Sequence, residues 1–336
     1  SNSEYEIESN SFNYLPTNKT LLSGGEGLLE TVSQDSFSTT TAASFSAEAI
    51  LGGISSDLGA SEAVSFDYQY GIGLSSSFTG EDSLDVTIDV GNQSGSVTSF
   101  LMGMDTTDDV LTVDGITYSF PVGGATVIVG DTTDISASYT GACAYGGFVD
   151  YITDCGTGNS IGVGGADEGV AVSASYAFDG GFSIAGGVSS PANELVGAGG
   201  TDVFGIEAAY SADDYGVAAA FSDVETITFV GLNGFYAFDF ATISAGYESE
   251  DVDDADDASA FFVGLSKEVG PGSANIGYAS TDQDPLGLGV DDQTYVYEAS
   301  YAYPVNDALT LTPGLSIIDT DAGESTVAAV KASFAF

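Results

Sequence analysis

The chain has 336 residues, with 50 Asp and Glu against 3 Lys and Arg and a net charge of -47, which excludes nucleic acid as a partner because phosphates are held by basic side chains. It has no His and two Cys, so histidine-centred catalysis and cysteine-rich zinc sites lack raw material and any metal would need oxygen ligands. A run of about 18 apolar residues, the signature of a transmembrane helix, is absent, yet 43% of the chain is hydrophobic; a membrane protein of this kind must be a closed barrel.

Residues Ser1 to Ser36 mix Leu21, Leu22, Leu28 and Leu29 with Gly and Ser. Their opening, SNSEYEIESN, has neither the basic nor the apolar region of a signal peptide, so the chain reads as mature or as a barrel fragment of something longer; 1–36 is read as a periplasmic arm or lumen plug, and 37–336 as a transmembrane β-barrel. From Phe37 the chain alternates. In Val64 to Leu74 an outward set of Val64, Phe66, Tyr68, Tyr70, Ile72 and Leu74 faces Ser65, Asp67, Gln69, Gly71 and Gly73, and in Leu84 to Val90 the branched residues alternate with Asp85, Thr87 and Asp89. Period-two alternation means strands with a different solvent on each face. Further strands are predicted at Val110–Val122, Ala125–Val129, Val170–Phe178, Phe182–Val188, Val203–Tyr210, Tyr215–Phe221, Thr226–Phe238, Phe240–Tyr247, Ser259–Lys267 and Ala274–Ala279. Three more close the chain: Tyr295–Tyr303, Leu309–Ile317, and a last one carrying Val330, Ala332, Phe334 and Phe336. The fold class is all-β, an antiparallel transmembrane barrel of about sixteen strands.

The connections alternate in length. Asp179-Gly180-Gly181, Asp213-Asp214, Asp239, Gly270-Pro271-Gly272 and Val305-Asn306-Asp307 are tight turns; Ser189–Asp202, Ser249–Ala258, Asp282–Asp292 and the shorter Asp319–Ser325 are acidic loops. Short turns at one end and long loops at the other are the periplasmic and extracellular ends of an outer-membrane barrel. Tyr176, Phe178, Phe182, Tyr210, Tyr215, Phe238, Phe240, Tyr301 and Tyr303 flank the short turns and form a predicted aromatic girdle, with Phe336 on the same side. The outward face should carry Ala43, Phe45, Phe66, Tyr68, Tyr70, Ile88, Tyr176, Tyr297 and Phe334.

The run TVAAVKASFAF, preceded by YEASYAYPVNDALTLTPGLSIID, resembles the C-terminal end of the cyanobacterial outer-membrane porin family, which is related to carbohydrate-type porins; FSTTTAASFSAEAILGG resembles its first strand, and the stretch around Gly162 to Gly187 is also similar. Nothing before Phe37 looks like the family's cell-wall-binding module, so that role is not carried over. The resemblance implies an outer-membrane location, contact with outer-membrane lipid, a homotrimer, and passive diffusion of inorganic ions and small polar solutes. It also implies that the third long connection, Asp131 to Asp167, narrows the channel, with Asp134, Asp150 and Asp154 as candidate constriction residues.

Alternation places Glu48, Asp67, Asp85, Asp89, Glu207, Glu248 and Glu298 on the pore-lining face, with one base, Lys331, on the terminal strand. General porins often set an arginine wall against acidic loop residues; three basic residues cannot build one, so the expected pore field is negative and cation-preferring. Cys143 and Cys155 lie in the third long connection. A secreted, oxidising setting favours a disulfide over free thiols or a metal pair, stabilising by about 3 kcal/mol on the chain-entropy model. The run Glu248 to Asp257 offers Asp253, Asp254, Asp256 and Asp257 as oxygen ligands for a loosely bound Ca2+ or Mg2+, against the plainer reading of a solvated acidic loop. No cofactor is indicated, and no carboxylate pair stands out as an acid and base, so an enzyme reading has no positive support. The alternative function is an acidic, calcium-stabilised adhesin or surface-layer protein, which explains charge and strands but not the turn parity or the aromatics at strand ends.

Overall fold

A computed structural model describes residues 41–57, 63–92, 98, 101–105, 107–131, 133–162, 169–191, 202–253, 257–282 and 293–335. The predicted arm or plug and Phe336 lie outside the described residues. Sixteen strands follow one another, each paired with its neighbours in sequence, and the last returns to the first to close the sheet. The first five are β1 (Thr41–Ser56), β2 (Ser65–Ser76), β3 (Ser83–Gly91), β4 (Thr112–Val122) and β5 (Ala125–Asp131). After a long connection come β6 (Gly169–Ala177), β7 (Phe182–Pro191), β8 (Val203–Ser211), β9 (Tyr215–Val224), β10 (Ile227–Phe238) and β11 (Ala241–Val252). The series ends with β12 (Ala258–Val269), β13 (Gly272–Thr281), β14 (Thr294–Asn306), β15 (Leu309–Thr320) and β16 (Gly323–Ala335).

Closure pairs β1 with β16 from Ser46 opposite Ala335 to Ser56 opposite Ser325, so the sheet has no open edge strand among the described residues. Registers agree across neighbours: Tyr278 stands opposite Tyr297, which stands opposite Ile317. Because the period is two, this places every predicted outward residue within the described range on one continuous outer face. That face is apolar and uncovered: Phe66 is 61% exposed, Leu232 51% and Ile276 61%. An apolar surface running around a closed sheet has lipid as its solvent. Near the short turns, ring follows ring: Tyr176 meets Phe178 at 4.7 Å, Phe182 meets Tyr210 at 4.6 Å, and Tyr236 meets Phe238 at 4.5 Å. This is the predicted girdle, extended by Tyr236 and by Tyr118, which stacks on Phe120.

Two irregularities re-aim side chains. Between β3 and β4, Thr87 pairs with Gly115 and Ile88 with Val113, so Asp114 is the extra residue of a bulge. Between β14 and β15 the register shifts between Pro304 and Asn306. The strands also reach further than alternation indicates at the long-loop end. The acidic run expected to begin a loop at Ser249 continues β11 to Val252, because Ser249, Glu250, Asp251 and Val252 keep their pairs with β10. The connection between β9 and β10 is likewise tight, turning at Glu225 with φ of 58°. A long loop therefore does not follow every odd strand.

Candidate functional site: the inward loop and its bed

The connection from β5 to β6 turns into the barrel. It starts with a short 3-10 turn, Ile135–Ser138, capped by Asp134, whose carboxylate accepts the Ser136 N–H at 2.7 Å. A second 3-10 segment spans Asp150–Gly156. Between them the chain crosses the lumen, and its polar backbone, removed from water, needs partners that only the inner wall can provide.

Three lumenal carboxylates supply them. Glu207 of β8 accepts the N–H of Thr140 at 2.7 Å and of Gly141 at 2.9 Å. Glu298 of β14 accepts the N–H of Phe148 at 2.9 Å, the N–H of Val149 at 3.0 Å and the Tyr145 hydroxyl at 2.8 Å. Glu248 of β11 accepts from Ser160 N–H at 2.7 Å, from Ser160 Oγ at 2.6 Å and from Asn159 Nδ2 at 2.9 Å. Between them Asn233 of β10 accepts the Ala142 N–H at 3.0 Å and donates to Thr157 Oγ1 at 3.0 Å. Each acid is buried and acts as a clamp for backbone donors, because an ionised carboxylate offers several lone pairs in one place.

The loop also needs room, and glycine provides it. Gly205, Gly231, Gly246, Gly264, Gly277 and Gly314 face inward along β8 to β15. A methyl group at Gly231 would stand 1.8 Å from Ser160 Oγ, one at Gly246 2.0 Å from the Cys155 carbonyl, and one at Gly314 2.4 Å from the Phe148 ring. A side chain at any of these positions would force the seated loop to shift, most of all at Gly246, where the neighbour is loop backbone. The Cys143–Cys155 disulfide, with Cα atoms 5.7 Å apart, ties the two halves of the loop together.

A second segment joins it. Leu101, Met102 and Met104, from the β3–β4 connection, are buried with Phe148 and Val149 of the loop and with Ile50, Val296, Ile318 and Val327 of the wall. Gln69 of β2 holds this segment by accepting the Asp105 N–H at 2.8 Å while its Nε2 donates to Glu48 at 3.1 Å. The lumen thus contains an apolar core at its loop-bearing end, beside β12 to β16 and β1.

The remaining predicted pore-lining residues stand on the other arc. Glu48 and Lys331 form an ion pair at 3.8 Å. Asp85 is half-buried and accepts from Ser83 Oγ at 2.8 Å, Asp67 is buried and accepts from Ser65 Oγ at 2.7 Å, and Asp89 is buried. Around them Ser44, Ser46, Thr87, Thr117, Ser119 and Ser333 remain partly exposed on the inner face. Of the constriction candidates, Asp150 is open to lumenal water, and Asp134 and Asp154 sit within the loop. Enclosure by the barrel pushes all three carboxyls above the usual range; for Asp150 the charge of Lys331 works against the rise, and for Asp154 the neighbouring Asp150 and Asp134 add to it. The Tyr145 hydroxyl is also raised, by burial first and then by the Glu298 carboxylate.

For the cation ligands expected in the acidic run, Asp253 and Asp257 are separated by a segment that includes Asp254 and Asp256, both outside the described residues. Among the described residues no group of three or more Asp, Glu or Cys could hold a metal ion. Sequence reasoning missed Asn233, Gln69, the glycine bed and the Leu101–Asp105 segment. One signal for the bed was present: Gly205-Ile-Glu207, Gly231-Leu-Asn233 and Gly246-Tyr-Glu248 each put a missing side chain and a hydrogen-bonding one on the same inner face.

With this geometry the chain has the architecture of the sixteen-stranded porins. A solved structure of an anion-selective porin from Comamonas acidovorans superimposes with a TM-score of 0.62 at 15% identity, covering 88% of this chain and 100% of that one. The Pseudomonas putida OprB structure gives 0.67 at 12% identity, covering 89% and 95%. A loop-deletion mutant of Vibrio cholerae OmpT gives 0.61 at 11%, covering 88% and 100%. At such identities the likeness is one of fold. Neither a family model nor a curated protein sequence matches the chain.

Proposed function

We propose that the protein is an outer-membrane porin, a passive channel for inorganic ions and small hydrophilic solutes that prefers cations. The carrying observation is the charge of the inner surface: among the described residues Lys331 is the one base on the inward face, against Glu48, Asp67, Asp85 and Asp89 on the wall and Asp150 on the loop. A uniformly acidic, enclosed path raises cation occupancy and repels anions. The anion selectivity in the name of the Comamonas porin is therefore not carried over, since a chain with 3 basic residues has no means to build an anion path. The apolar belt and aromatic girdle support membrane residence over the surface-adhesin alternative, which has no use for either.

Three finer parts of the reading go with it. The ends of the chain align the protein with the cyanobacterial type of porin; residues 1–36 form a periplasmic arm or a lumen plug; and three copies associate as a trimer, with Ca2+ or Mg2+ loosely held by the outer acidic loops. Reversal potentials across a planar bilayer under a potassium chloride gradient test the channel, with a cation-side potential expected. Anion preference in the absence of divalent ions defeats the selectivity. A native mass of one 34.0 kDa chain plus detergent defeats the trimer.

A further inference from the structure

The chain's basic residues are Lys19, Lys267 and Lys331. Lys19 lies outside the described residues, and Lys267 continues the outward series Phe261, Val263, Leu265 of β12 toward the short turns. Lys331 instead follows Val327 and Ala329 on the inner face of β16, opposite Ile50 of β1 and Thr312 of β15. Its Nζ stands 3.8 Å from Glu48 Oε1, and the two side chains are 20% and 17% exposed. The rest of the Glu48 carboxylate is met by neutral donors: Ser333 Oγ to Oε1 at 2.9 Å and Gln69 Nε2 to Oε2 at 3.1 Å. The inward loop packs its Val149 in one cluster with Ile50, the β1 partner of Lys331, and with Val327 of the same strand, which brings the adjoining Asp150 to this part of the lumen, and the Lys331 charge works against the rise of the Asp150 carboxyl. Glu298 of β14 has its oxygens occupied by Tyr145, Phe148 and Val149, so it contributes no ligand. Asp150 is open to lumenal water and makes contact at Gly103, where a methyl would stand 2.8 Å from its carboxyl carbon.

This arrangement is unlike a structural ion pair. The separation is at the outer limit for a contact, the ammonium is partly wet, and a pair of this kind adds little to stability. What the ammonium does have is position: it stands at the Glu48 carboxylate of the wall, near the part of the loop that carries Asp150, in a lumen with no other described base. Carboxylates so placed are hard oxygen donors suited to divalent cations, and conduction requires that an ion bind weakly enough to leave.

We propose that Lys331 is a specificity-determining residue of the channel: a tethered counter-ion whose ammonium takes the cation position between Glu48 and Asp150, tempering the preference of the pore for cations and keeping divalent ions from lodging there. This rests on the channel reading above. The test compares wild type, Lys331→Met and Lys331→Arg in planar bilayers, measuring reversal potential in a potassium chloride gradient and single-channel current as calcium chloride is added. Lys331→Met should raise the potassium-to-chloride permeability ratio several-fold and acquire calcium block at concentrations that leave the wild type conducting. Lys331→Arg, which keeps the charge, should follow the wild type in both. Heat-modifiable migration on a gel verifies that each variant is a closed barrel. Conducting, folded Lys331→Met channels with wild-type selectivity and no calcium block overturn the inference alone, and so does an Arg variant that behaves like Met. Absence of any conductance from the wild type overturns the channel reading and the inference together.

Discussion

The inner wall from β8 to β14 and the inner wall from β1 to β5 are built from the same alternation but meet different neighbours. On the first arc Gly205, Glu207, Gly231, Asn233, Gly246, Glu248, Gly264, Gly277 and Glu298 lie beneath the inward loop and are spent on it. On the second, toward the short turns, Ser44, Ser46, Asp85, Thr87, Thr117 and Ser119 stay partly wet. An inward acid therefore has two unlike roles. Beneath the loop it is an acceptor of backbone N–H groups and holds a shape; on the open arc Asp85 is a partly wet carboxylate, and it is there that the proposed function needs charge.

Removing a clamp should have the largest effect. Glu298→Ala leaves the N–H groups of Phe148 and Val149 and the Tyr145 hydroxyl without an acceptor, at about 1–3 kcal/mol for each buried donor. The loop should leave the wall, seen as a larger single-channel conductance and faster proteolysis between 133 and 162. Asp85→Asn on the open arc should change selectivity and leave that proteolysis as it is. If both variants change proteolysis equally, the division between arcs is wrong. A smaller effect of the same kind is expected at the bed. Gly314→Ala sets a methyl 2.4 Å from the Phe148 ring, and overpacking of this sort costs about 1–3 kcal/mol; partial loop release by the same two measurements is the expected outcome.

The outer face was legible because alternation is a property of the strand itself: Tyr295, Tyr297, Ala299, Tyr301 and Tyr303 declare their side without reference to any partner. The girdle and the pair Cys143 and Cys155 were legible for similar reasons, being set by solvent and by compartment. The role of Glu207, Glu248 and Glu298 was not. Alternation says that these side chains point inward, but what they meet there arrives from residues 66 to 153 positions away, and no local period encodes that. The Leu101–Asp105 segment was hidden for the opposite reason: it is short, irregular and apolar, and it is buried only because a barrel surrounds it.

The disulfide sharpens the picture of how the loop is held. Chain entropy assigns about 3 kcal/mol to closing so short a loop, yet Glu207, Glu248, Glu298 and Asn233 each grip the same segment independently. Reduction, or Cys143→Ser with Cys155→Ser, should therefore add current noise while the mean conductance moves less than in Glu298→Ala. A reduced channel that opens as far as Glu298→Ala does would mean that the covalent tie, and not the carboxylates, seats the loop.

The smallest effect expected is of pH, and its sign separates charge from shape. Asp134, Asp150 and Asp154 all have carboxyls raised by their enclosure, so they take up protons at a higher pH than the ordinary Asp value of about 4. As pH falls through those raised values the loop loses negative charge, and the cation-side reversal potential should shrink. The stability sign runs the same way. A carboxyl raised in the folded state binds its proton more readily there than in the unfolded chain, so these groups add stability as pH falls and subtract it as pH rises. Asp150→Asn, which removes the carboxyl open to lumenal water, should reduce the pH-dependent part of the reversal potential. A potential that stays constant down to about pH 4 would show that the enclosed acids carry no part of the selectivity, and one that falls together with a rise in conductance would show that acid moves the loop.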